Sequence, residues 1–199
     1  MKELLEQIGL DFQIIPAKGE EEADASLPPA EYVKQLALHK AAEVAASCAP
    51  EDIVIGADTI VVLDGEILGK PNNAAHAFKM LSRLATRRHT VYTGVALVQG
   101  ERPMLGVEAT QVRFCSLTEQ EILDYVSTGE PMDKAGAYGI QGRGALFIDS
   151  IHGDYFNVVG LPLCRLGRML AGFGVKKLVL FDNAETPMRT LRLELEERF

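Results

Sequence analysis

The chain has 199 residues, 47% of them hydrophobic, the make-up of an ordinary globular domain with a sizeable core. A net charge of −8 and a pI near 5.1 argue against a surface for polymeric nucleic acid or anionic membrane, although a few converging Lys and Arg would suffice for a small anion such as a nucleotide. Cys48, Cys115 and Cys164 are odd in number and far apart, so neither a disulfide framework nor structural zinc is expected and a reducing cytoplasm fits; no apolar run reaches the ~20 residues of a membrane span, and the start, MKELLEQIGLDF, lacks a signal-peptide pattern.

In chain order, residues 2–8 read as a helix with Leu4, Leu5 and Ile8 on one face, and FQIIP as a short strand. KGEEEADASLPPA is a polar, acidic loop of the kind that carries function rather than core. Residues 31–47 predict a helix, with Val33, Leu36, Ala37, Ala41 and Val44 at the 3.6 period. VIGADTIVVL is a strand, Asp64-Gly65 a hairpin turn and EIL a short return strand. Residues 73–85 form a helix capped by Asn72 or Asn73, and Arg87-Arg88-His89 reads as a polar turn. VYTGVALVQ and LGVEATQVRFCSL are partner strands. Thr118, with Glu121 three residues on, opens a helix by a capping box, and Gly129 closes it with Pro131 beyond. After the glycine-rich DKAGAYGIQGRG, both ALFID and YFNVVG read as strands around a His152-Gly153 turn. Pro162 starts a helix to about Ala171, KKLVLF is a last strand, and the charged tail from 183 on fits helix or strand. No repeat or linker divides the chain, so residues 1–199 read as one domain with a mixed sheet, α/β or α+β. No G-x-G-x-x-G follows the first strand and no Walker sequence occurs.

Within the strand GADTIVVL, Asp58 and Thr59 stand out. Aspartate is a poor strand former, and a buried carboxylate needs a partner, a proton or a metal. Either the strand meets the surface there, or Asp58 belongs to a site. Lys40 falls on the apolar stripe of its helix, between Ala37 and Ala41; it either snorkels to water or projects into a cleft. Lys70 ends the return strand in LGKP. Two lysines and a carboxylate would suit phosphates and a divalent cation. A run such as Glu20, Glu21, Glu22 is usually only a solvated face, but next to a metal site one of them could be a second ligand. His39, His76, His89 and His152 show no metal-ligand spacing. Gln141 sits among glycines 136, 139, 142 and 144, which let backbone approach a ligand. Its amide both donates and accepts, as the imide edge of uracil or thymine requires.

GADTIVVLDGEILGKP, RHTVYTGVAL, TGEPMDKAGAYGIQGRGALF and GDYFNVVGLPL together resemble the Maf family of nucleotide pyrophosphatases, over residues 2–170. The resemblance implies an elongated, bent mixed sheet flanked by helices, with two lobes and a central cleft, like the inosine triphosphatase fold. It implies metal-dependent hydrolysis (Mg²⁺ or Mn²⁺) of a nucleoside triphosphate to the monophosphate and pyrophosphate, in a homodimer. By matching position, Asp58 would be the catalytic acid-base or metal ligand, Lys40 and Lys70 would bind phosphates, and Glu21 would assist the metal. Thr59 and Gln141 match the branch that prefers dTTP and UTP over 7-methyl-GTP. One departure stands out: family members begin with a strand and a Ser-x-Ser-x-x-Arg-Arg loop, and here Met1 stands at the place of the last arginine. Such a loop is an anion cradle. The expectation is therefore a chain less active than relatives that have it. That leaves two further readings: a catalytically weak nucleotide-binding regulator of cell division, or a pyrophosphatase for a modified purine nucleotide.

Overall fold

The structure is a computed structural model, and it describes residues 1–19, 23–175 and 191–193. The elements in chain order are α1 (Lys2–Gln7), β1 (Phe12–Ile14), α2 (Pro29–Ala45), β2 (Ile53–Leu63), β3 (Glu66–Leu68), α3 (Ala74–Leu84), β4 (Arg88–Gln99), β5 (Arg102–Phe114), α4 (Glu119–Ser127), β6 (Ile148–His152), α5 (Tyr155–Val159), α6 (Leu163–Gly172) and β7 (Leu191–Leu193). Three short 3₁₀ segments, Glu130–Asp133, Ala135–Ala137 and Arg143–Phe147, occupy the glycine-rich stretch. The strands form one mixed sheet in the order β1-β7-β2-β4-β5-β6, with β3 hairpinned onto β2. The β1–β7 and β7–β2 pairs are parallel, while β2–β3 and β5–β6 are antiparallel. Helices accompany this sheet, the α/β class expected. Among the described residues, no helix is long and apolar enough to cross a membrane.

The chain divides into two compact units, each discontinuous in sequence. The first comprises Met1–Asp58, Gly94–Val107 and Gly160–Phe199. Here α2 lies directly on strands β2 and β4, and glycines permit the approach. A Cβ at Gly56 would fall 2.4 Å from the Ala37 carbonyl oxygen, and one at Gly94 would fall 2.3 Å from that of Val33. Ala37, Ala41, Val44, Val54, Ala96 and Val98 fill this contact. Helix α6 rests on β5 in the same way, since a Cβ at Gly106 would meet Arg165 and Met169 at 2.9 Å.

The second unit comprises Thr59–Thr93 and Glu108–Val159. Its core packs α3 and α4 with Val61, Leu63, Leu68, Val91, Val112 and Phe114 from the strands. The Asp64-Gly65 turn places both residues at positive φ (53° and 82°), the hairpin geometry its sequence predicts. Asn73 caps α3 by accepting from the His76 N–H, and Thr118 and Glu121 complete the predicted capping box.

Three expectations are corrected. YFNVVG is not a strand: residues 155–159 are helix α5, opened by the Asp154 carboxylate, which accepts from the Phe156 N–H at 2.8 Å. ALFID is strand only from Ile148, because Arg143–Phe147 turns as 3₁₀ helix. Arg88 and His89 are not in a turn but open β4, with His89 buried. The charged tail contains strand β7, which resolves the helix-or-strand alternative for Leu191–Leu193. KKLVLF lies outside the described residues.

Candidate active site

Strand β2 is buried at every position except two adjacent ones, Asp58 and Thr59, which are half-exposed. The strand therefore reaches solvent at Asp58, and the carboxylate has a built partner. Lys40 Nζ donates to Asp58 Oδ1 at 2.9 Å. The side chains are 7% and 15% exposed, so the pair is largely desolvated and stronger than a surface ion pair. Its position follows from the helix seat. Ala37 and Ala41 close on Gly56, and Lys40, on the same stripe of α2, reaches the next residue on that face of the strand, Asp58.

In the second unit, Thr59 Oγ1 lies 2.8 Å from Thr93 Oγ1. Thr93 is fully buried and donates to the main-chain oxygen of Asn157, also at 2.8 Å. The Asn157 amide, likewise fully buried, donates to the Val91 carbonyl (3.0 Å) and to Thr110 Oγ1 (2.9 Å). Thr110 in turn donates to the Asp154 carbonyl at 3.0 Å. Sequence reading missed Thr93 and Asn157; the available signal was an asparagine inside the apolar run YFNVV, which must be satisfied if buried.

Lys70 is exposed, two residues past β3. The register Val61↔Leu68 runs this segment back along β2 toward Thr59. The Gly136 N–H donates to the Gly69 carbonyl at 3.1 Å, tying the glycine-rich stretch to the segment that carries Lys70. Gly136 adopts φ 68°, and a Cβ there would press on the Val61 side chain. Gln141 is exposed on the turn between two 3₁₀ segments.

Glu130 holds that turn. Its carboxylate accepts from the Arg143 N–H (3.0 Å), the Gly144 N–H (3.1 Å) and the Tyr125 hydroxyl (3.0 Å). Partial burial pushes the Glu130 carboxyl up, but these donors outweigh it and hold it below the usual range. Glu130 is a third residue that sequence reading missed. Glu21, the proposed second acidic ligand, lies outside the described residues.

Among the described residues, no three His, Cys, Asp or Glu side chains gather into a metal cage. Magnesium does not require one. It keeps several waters and is commonly held by one or two carboxylates together with substrate phosphates, and Asp58 suits that role.

The model of the family described as Maf-like protein matches residues 2–173. A largely buried carboxylate–lysine pair on a mixed α/β sheet is thus accompanied by a match over most of the chain, and the chain belongs to the Maf family. It is 55% identical over 173 residues to a protein of Symbiobacterium thermophilum named "dTTP/UTP pyrophosphatase", covering 87% of this chain and 89% of the relative. It is 54% identical over 176 residues to a protein of the same name from Moorella thermoacetica, covering 87% of this chain and 90% of the relative. A Bacillus cytotoxicus protein, again so named, is 51% identical over 172 residues, with 86% and 90% covered.

Proposed function

We propose that this protein is a nucleoside triphosphate pyrophosphatase that hydrolyses dTTP and UTP to the monophosphate and pyrophosphate. The observation that carries the reading is the Lys40–Asp58 pair, set at the break in an otherwise buried strand. Relatives that match nearly nine-tenths of their length and carry the name dTTP/UTP pyrophosphatase support the substrate.

In this reading a water attacks the α-phosphorus. Asp58 takes its proton, the bond from that phosphorus to the α–β bridging oxygen breaks, and pyrophosphate leaves with the electron pair. Lys40 and Lys70 neutralise phosphate oxygens, and their charge is worth most where negative charge collects on the leaving group. Asp58, with Glu21 assisting, would hold a divalent cation such as Mg²⁺ or Mn²⁺, which would supply further charge neutralisation. Thr59 and Gln141 meet the base. The net charge of −8 disfavours polymeric nucleic acid as a partner. The family resemblance supports a homodimer, and the scattered cysteines support the cytoplasm.

The test is pyrophosphate release from dTTP, UTP and 7-methyl-GTP with Mg²⁺ or Mn²⁺. Release from dTTP and UTP, lowered by roughly 10²-fold or more in Asp58→Ala, is expected. No release, or release untouched by that substitution, would sink the reading.

A further inference from the structure

In the second unit, alternation along the strands sorts the side chains into two faces. His89 and Val91 of β4 and Val112 and Phe114 of β5 are buried. Arg88, Gln111 and Arg113 therefore stand on the opposite face, and all three are exposed. The register carries the pattern into β6, where His152 lies opposite Gln111 and Ser150 lies opposite Arg113. The Phe114 N–H donates to the Arg87 carbonyl at 3.1 Å, so one residue on from that bond Arg88 and Arg113 face each other across β4 and β5. These five polar side chains line one cavity of about 440 Å³, a size at which small molecules are held.

The lining is built from donors. Two guanidinium forks, an imidazole, an amide and a hydroxyl converge, and none of the lining residues is acidic. Asp149 is the nearest carboxylate partner: it meets Arg113 Nε at 3.5 Å with both side chains half exposed, a weak contact. Among the described residues, Arg88, Gln111, Ser150 and His152 have no side-chain hydrogen bond or ion pair. Like charges directly opposite each other on neighbouring strands repel. The chain sets two arginines in that relation on a protein whose net charge is −8. An anion between them would turn the repulsion into two charge-assisted contacts. The cavity is removed from the candidate active site: Arg88 lies about 17 Å along β4 from Thr93, the partner of Thr59.

We propose that Arg88, Arg113 and His152, with Gln111 and Ser150, form a second anion site that takes a phosphate group. A carboxylate carries one charge and satisfies one fork. A phosphate dianion matches two guanidinium groups, and its further oxygens take the amide, hydroxyl and imidazole donors. The group could arrive as free phosphate or on a nucleoside monophosphate, and the cavity is large enough for either.

The experiment follows backbone amide shifts of the ¹⁵N-labelled full chain by NMR. Inorganic phosphate, uridine monophosphate and acetate are titrated separately, at constant ionic strength and without divalent cation. Phosphate is expected to move the amides of residues 111–113 and 150–152 together, along one saturating curve. Arg88→Gln and Arg113→Gln should each raise the half-saturation concentration about tenfold or more. Both residues are exposed, so neither change opens the core. Arg83→Gln, which removes a cation of the same unit that does not line the cavity, should leave the curve unchanged. Equal half-saturation for phosphate and the monophosphate would support a site for the phosphate group alone; tighter binding of the monophosphate would support one that also holds the nucleoside. Amides that stay still, or that drift without saturating, would overturn the proposal. So would acetate acting as strongly as phosphate, or Arg83→Gln weakening the response as much as Arg88→Gln.

Discussion

His89 shows how burial sets the behaviour of a single side chain. The ring is 3% exposed, packs edge-on against Phe114 and Tyr138, and shares a 2.7 Å hydrogen bond between Nε2 and the Tyr138 hydroxyl. Burial lowers its pKa from 6.5 to about 4, because the imidazolium would lose its hydration there. The unfolded chain binds a proton on this ring below the ordinary value, and the folded chain resists until about 4. Stability from this group is whole above pH 6.5 and falls as the pH drops through that window. The loss should be about 2 kcal/mol between pH 7 and pH 5. Urea unfolding at the two pH values checks it: His89→Phe, whatever its absolute stability, should lose less on acidification than the parent. An equal loss in both would show that His89 does not carry the pH dependence.

At the scale of elements, the seat of α2 on β2 matters most. The helix approaches closely because Gly56 has no side chain, and the same approach brings Lys40 to Asp58. Gly56→Ala would drive a methyl into the Ala37 carbonyl and Ala41, both backbone-fixed. Overpacking of this sort costs about 1–3 kcal/mol. Lys40 should also lose its reach, so the variant should lose activity beyond what its unfolding midpoint explains. Denaturant titration beside pyrophosphate release at a temperature where both proteins are folded would show this; an active, equally stable Gly56→Ala would refute the account. Much of this layer was legible. Lys40 sat between Ala37 and Ala41, Asp58 broke a strand pattern, and the Asp64-Gly65 turn and the Thr118 cap followed from local chemistry. Helix α5 was not legible. Tyr, Phe and two valines favour a strand, and what overrides them is tertiary: the Asp154 cap and the buried bonds of Asn157. His89 was misread for a similar reason, since two arginines before it suggest a surface turn while Phe114 and Tyr138 bury it.

For the whole molecule, the sheet is completed by residues distant in sequence. Strand β7 lies between β1 and β2, with Leu191–Leu193 opposite Phe12–Ile14 on one side and Ile53–Ile55 on the other. Charge along the tail hid this pairing from sequence reading, because alternation of Leu with Arg and Glu fits an exposed helix as well as a strand. Removing residues 184–199 would leave the buried Ile53, Val54 and Ile55 on an unpaired edge, which invites aggregation. The truncated chain should unfold at lower urea and aggregate at concentrations the full chain tolerates, as light scattering would report. An unchanged midpoint would show that β7 contributes nothing to the sheet.

The oxygen that orients Thr93 belongs to the main chain of Asn157, not to its side chain. No codon change at position 157 deletes it. What a substitution there removes is the amide that donates to the Val91 carbonyl and to Thr110 Oγ1, and with it the bonds that hold α5, and so that oxygen, in place.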